Sequence, residues 1–143
     1  LMTSIRHMGI VVSDMNISLH FYIDLIGLQR APVNEETGPF LDSLLNMVDA
    51  KIQTTKLVGE NSTASVELLC FKNPSATTST PLNAIGPTHL ALNVTNLDAL
   101  YNRLKKAGIS FNAPPKISPN GRVKVAFCQD PDGTFVELVE LVK

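Results

Sequence analysis

"RHMGIVVSDMNISLHFYIDLIGL", Arg6 to Leu28, and "THLALNVTNLDALYNRLKKAGI", Thr88 to Ile109, are two versions of one unit, and their alignment decides the fold. Each opens on a histidine that enters a run of aliphatic and β-branched residues, the pattern of a strand. A polar turn follows, at Ser13 and Asp14 in the first copy and at Thr95 and Asn96 in the second. Residues then recur at helical spacing: Ser18, Phe21, Tyr22 and Leu25 on one face, and Leu97, Leu100, Tyr101 and Leu104 on the other copy's face. A glycine, Gly27 or Gly108, stops each helix. His7 falls on His89 and Met15 on Leu97, but Gly27 meets Gly108 only after a one-residue adjustment. The aromatic residues Phe21, Tyr22 and Tyr101 read as core, and His20 as a surface or packing residue.

Strand material follows each helix. In the first half it is "AKIQTTKLV" and "ASVELLCF", joined by the turn-forming "GENST". In the second it is "RVKVAFC" and "TFVELVELV", joined by "QDPDG", a strong hairpin signal. Between the halves, "KNPSATTSTPLNAIGP" is rich in Pro, Ser and Thr and has no periodicity, so it reads as a connection. "NAPPKISPNG" is a second loop, stiffened by Pro114, Pro115 and Pro119. Only the first half carries "TGPFLDSLLNMV", where Phe40, Leu41, Leu44 and Leu45 fit a short helix. The chain is thus expected to be one α+β domain over residues 1–143, with module one at about 3–73, a linker at about 74–86 and module two at about 87–143.

At 143 residues the chain can bury a core without staples, and 12 basic against 13 acidic residues point to neither nucleic acid nor an anionic membrane. No stretch approaches the roughly 20 apolar residues of a membrane span, and a cytoplasmic protein is expected. Leu1, ahead of Met2, carries no weight in this reading. Cys70 and Cys128 lie inside apolar strand-like runs and read as buried, reduced thiols.

Each half also brings one histidine on its first strand and one glutamate on its last, Glu67 in "SVELLCF" and Glu137 in "FVELVEL". An ionised carboxylate among Val, Leu and Phe is costly unless it is paired or bound to a cation, and a shared metal would offset that cost. Alternation places His7 with Gly9 and Val11, and His89 with Ala91 and Asn93, while Met8, Ile10, Val12 and Leu90, Leu92, Val94 take the opposite faces. The small residue two places after each histidine leaves room for a metal or ligand. Alternation alone does not choose between Glu137 and Glu140; the repeat, matching "VEL" to "VEL", favours Glu137.

On the opening "IRHMGIVVSDMNISLHFYIDLIGL", the second opening "GPTHLALNV" and the closing hairpin "FCQDPDGTFVELVEL", the chain resembles the vicinal oxygen chelate superfamily over its whole length. That superfamily includes glyoxalase I, methylmalonyl-CoA epimerase, extradiol dioxygenases and bleomycin-resistance proteins. The resemblance implies two tandem βαβββ modules whose mixed sheet curls around a central metal and ligand cavity, with helices on the outer face. It implies His7, Glu67, His89 and Glu137 as metal ligands, with Glu137 and Glu67 as catalytic carboxylates. The ion is a divalent one, Zn, Ni, Co, Fe, Mn or Mg, which imidazole nitrogens and carboxylate oxygens suit alike.

The implied activity is that of a metal-dependent glyoxalase-like lyase or an isomerase or epimerase. It acts through a metal-stabilised enediolate and carboxylate proton transfer on a small oxygenated substrate. Two alternatives stand beside it: an Fe(II) extradiol-type dioxygenase using His7, His89 and Glu137, and a metal-free small-molecule-binding protein of the resistance type. The partner is a small-molecule substrate, with a glutathione or CoA conjugate among the candidates; Lys72, Lys116, Arg122 and Lys124 could receive an anionic group of it, though scattered surface cations are the ordinary reading. A homodimer is expected; superfamily members pair modules either within one chain or across a dimer, and the linker allows either arrangement. "NEE", with Glu35 and Glu36, loosely resembles the place from which epimerases supply an additional base, but it reads better as a solvated acidic turn.

Overall fold

The computed structural model describes residues 3–62, 64–78 and 80–143. The chain divides into two compact units between Thr77 and Thr78. Each is α+β and is built on one mixed sheet. Leu1, Met2, the Thr63 of the first hairpin turn and the Ser79 of the linker lie outside the described residues.

Unit one runs β1 (His7–Val11), α1 (Met15–Leu19), a π-helical turn (His20–Leu25), β2 (Gln29–Arg30), β3 (Asn34–Thr37), α2 (Pro39–Leu45), β4 (Lys51–Val58) and β5 (Ser65–Asn73). Its sheet has the order β1-β5-β4-β2, with β3 also paired to β4. β1 runs parallel to β5, and β4 antiparallel to it. Unit two runs β6 (His89–Asn93), α3 (Leu97–Lys106), β7 (Lys116–Ile117), β8 (Val123–Gln129) and β9 (Phe135–Leu141), in the order β6-β9-β8-β7. Again the first strand is parallel to the last, and the hairpin partner is antiparallel.

The helix starts follow from capping. Asp14 accepts from the Ile17 amide, and Asn96 accepts from the Ala99 amide. Gly27 and Gly108 end the helices at φ +99° and +84°, a conformation that a Cβ disfavours. The one-residue mismatch between the copies also has a structural cause. Helix α1 widens into a π-helical turn, with the Ile26 amide bonded five residues back to the Phe21 carbonyl. A π-turn accommodates one extra residue without changing the helix direction.

The helix-facing side of each sheet is the core. In unit one it gathers Val12, Met15, Leu19, Phe21, Tyr22, Leu57, Leu68 and Cys70, all buried. In unit two it gathers Leu97, Leu100, Leu104, Ala126, Cys128, Val136 and Leu138. On β6, Leu90 and Leu92 are only half-buried, so the expected opposite face is present but less deep there.

Three short strands lack a periodic signal in the sequence, although the implied βαβββ pattern allows one in each unit and unit two, β6-α3-β7-β8-β9, matches it. Gln29–Arg30 and Asn34–Thr37 pair with β4, and Lys116–Ile117 pairs with β8. "NEE" is therefore part of an exposed edge strand rather than a turn; backbone pairing to β4 outweighs its poor strand propensity. The expected short helix is α2, but only Leu41 among its apolar residues is buried, while Phe40 and Leu44 face solvent. Leu41 packs with Ala50, Ile52, Met47, Leu69 and Phe71. Since Leu69 and Phe71 alternate with Glu67 along β5, α2 covers part of the face that carries His7 and Glu67.

Candidate metal-ligating site

The parallel strand pairs place a histidine and a glutamate side by side in both units. In unit one Gly9 lies directly opposite Glu67, and in unit two Ala91 lies directly opposite Glu137. Each histidine sits two residues earlier on the same face. The small residue between them is thus what allows the carboxylate to lean across the ladder toward the ring. A Cβ on Gly9 would already stand 3.2 Å from Leu69 Cδ1.

The resulting pairs match closely. His7 Nε2 is 3.6 Å from Glu67 Oε1, and His89 Nε2 is 3.4 Å from Glu137 Oε1. Both separations exceed the roughly 3.2 Å limit of a good N–H···O hydrogen bond. They suit two donors that share an ion: ligand atoms each about 2.1 Å from one metal and about 105–120° apart lie about 3.3–3.6 Å from one another. Imidazole with carboxylate is also a donor chemistry that divalent ions accept. The residues present therefore fit a divalent cation, two donors per unit. Among the described residues, no group of three or more His, Cys, Asp or Glu side chains is placed to hold a metal ion.

Glu137 and Glu140 have different partners. Glu137 shares its face with the half-buried Phe135 and Val139 and approaches His89. Glu140 points to the helix side, where its Oε1 accepts from the Leu97 amide at 2.6 Å and closes the N-terminus of α3. Lys124, directly opposite Glu140 in the β8–β9 ladder, donates to Asp98 of α3 at 2.7 Å. That hydrogen bond, the leading cause, and the nearby carboxylates of Asp98 and Glu140 raise its pKa. Lys124 thus braces a helix and is not disposed to receive a substrate group.

The remaining cations sort by face. Lys72 alternates onto the side away from Glu67, whereas Lys116 pairs with Val125 and so shares the Glu137 face at the sheet edge. A cation absent from the sequence reading is better placed: Lys56 is the direct cross-strand neighbour of Glu67. Its counterpart in unit two, directly opposite Glu137, is Phe127, whose ring meets that of His89 edge-on at 5.3 Å. Thr88 was also missed; its Oγ1 is 3.0 Å from His89 Nδ1. Counting the hairpin pairing outward from "GENST" could have found Lys56, but no local pattern announces Thr88 or Phe127. Glu36 accepts from the Thr54 hydroxyl at 3.4 Å, a long contact, and Glu35 alternates to the other side. His20 is on the surface, paired with Asp24 at 2.9 Å.

With this arrangement in place, a family model for the glyoxalase/bleomycin resistance protein/dioxygenase superfamily matches residues 4–138. The chain belongs to that superfamily. Its similarity to individual members is moderate. The uncharacterized protein YwkD of Bacillus subtilis (strain 168) is 31% identical over 143 residues, which is 98% of each chain. A probable lactoylglutathione lyase of Vibrio cholerae is 28% identical over 137 residues, covering 95% of this chain and 89% of that one. The crystal structure of a glyoxalase family protein from Bacillus cereus matches with a TM-score of 0.90 at 18% identity, covering 100% of this chain and 97% of that one. At that identity the superfamily likeness is one of fold alone. No helix among the described residues is long and apolar enough to cross a membrane.

Proposed function

We propose that the protein is a metal-dependent lyase or isomerase of the glyoxalase or epimerase kind, with His7, Glu67, His89 and Glu137 as the ligands of one divalent ion. The observation that carries this reading is the duplicated pair, with the same register and nearly the same Nε2···Oε1 gap in both units. The relative named as a probable lactoylglutathione lyase supports the direction of the reading.

A divalent ion held there would act as a Lewis acid toward an oxygen of the substrate and so acidify the neighbouring C–H bond. The chain's own residues do the rest. An Oε of Glu67 or Glu137 receives the proton and returns it, to the adjacent carbon for a lyase or to the opposite face of the same carbon for an epimerase. Glu67 is the better placed for substrate contact, since Lys56 stands beside it to meet an anionic group of a glutathione or CoA conjugate. Leu69 and α2 present an apolar wall on the same face. Because Glu67 repeats the geometry of Glu137, the four-ligand reading is favoured over a three-ligand Fe(II) oxygenase, in which Glu67 would have no equivalent duty.

The test is metal analysis of protein purified without added metal, followed by assays with a glutathione hemithioacetal, an acyl-CoA epimer and a catechol. Turnover of either of the first two is expected. Cleavage of the catechol alone, or tight substrate binding with no metal and no turnover, would overturn the proposal.

A further inference from the structure

Although the two His–Glu pairs share a register, their surroundings differ. His89 Nδ1 lies 3.0 Å from Thr88 Oγ1, and the Phe127 ring abuts the imidazole at 5.3 Å with an interplanar angle of 67°. His7 has neither contact. Its Nδ1 is buried without a hydrogen-bond partner among the described residues. The repeat puts Arg6 where unit two has Thr88, and the ladders put Lys56 where unit two has Phe127. Neither cation can accept a hydrogen bond from an imidazole.

We infer that Thr88 is a positioning residue that orients the His89 ring and accepts from its Nδ1–H when Nε2 holds the ion, making His89 the anchoring imidazole and His7 the weaker one. This rests on the metal reading above. A metal on Nε2 leaves the proton on Nδ1, so Nδ1–H donates and the Thr88 hydroxyl accepts. Without metal the same contact can run in either sense, which is why the hydroxyl, both donor and acceptor, suits the position. In unit one an ion on His7 Nε2 leaves a buried Nδ1–H with no acceptor, so that ring gains no orienting hydrogen bond from its far nitrogen. Partners of this kind orient ligand rings and strengthen the metal bond.

The experiment is a Zn(II) titration of the full chain against a chelating indicator, on the parent protein, Thr88→Val and Thr88→Ser. It is paired with imidazole nitrogen and proton NMR of the Zn(II)-loaded forms. Valine keeps the shape and removes the acceptor. Thr88→Val is expected to weaken Zn(II) binding by about 10-fold or more and to lose the slowly exchanging His89 Nδ1–H signal. Thr88→Ser keeps both. Equal Zn(II) affinity in the parent and Thr88→Val would overturn the positioning role, as would an equal loss in Thr88→Ser, which retains the hydroxyl. A parent chain that takes up no Zn(II) overturns the metal reading instead, so the two failures are distinct. Backbone amide spectra of each variant establish that the fold is kept.

Discussion

At the scale of single residues, the imidazoles and carboxylates are separable from the helix-facing core of each sheet because alternation directs them to its other face. Substituting His89→Ala or Glu137→Ala is therefore expected to abolish metal uptake and turnover with little change in the unfolding midpoint. Retained metal in both variants would sink the ligand assignment. Glu67→Gln tests proton transfer more narrowly. The amide oxygen still coordinates but is no base, so most of the metal should remain while exchange of the substrate C–H with solvent falls sharply. Undiminished exchange would remove Glu67 from that role. Burial above all, and then the nearby Asp130, push the Cys128 thiol up to about 12. A raised folded-state value stabilises below the ordinary thiol pKa of 9.0 and stops doing so as pH rises toward about 12. Stability should thus decline across that window, and less so in Cys128→Ala, measured by denaturant titration at several alkaline pH values. Lys124, raised chiefly by its Asp98 hydrogen bond, adds a decline of the same sign that Cys128→Ala retains.

At the scale of elements, β9 divides its labour by face. Val136, Leu138 and Glu140 face the helix, while Glu137 faces away from it toward His89. Glu140→Ala should cost about 1–2 kcal/mol, the worth of a charged cap on a partly buried donor of a helix N-terminus, and leave Zn(II) affinity unchanged. A loss of metal there would mean that the two glutamates had been assigned backwards. The strand-helix openings were legible in the sequence because His7 and His89 head alternating runs whose helices carry their own caps and glycine stops. Gln29–Arg30 and Lys116–Ile117 were not legible. Two-residue strands have no periodicity of their own and exist because β4 and β8 offer a free edge to pair with.

At the scale of the whole molecule, the proposed four-ligand site predicts a stoichiometry. Four ligands completing one shell bind one ion per chain, whereas two independent two-donor sites would bind two, and weakly. Equilibrium dialysis against Zn(II) at saturating concentration is expected to give one. Two ions per chain would refute the shared shell while leaving the superfamily assignment intact.

The α+β class, the repeat and the residue types at His7, Glu67, His89 and Glu137 were all readable from the chain. Each depends on local alternation, or on the comparison of one segment with another. Which way Glu140 turns, that Lys56 and Phe127 stand beside the two glutamates, and that Thr88 meets the far nitrogen of His89 were not readable. Those facts depend on ladder register and on side-chain direction across strands distant in sequence. Neither is set until hydrogen bonds lock one strand against the next.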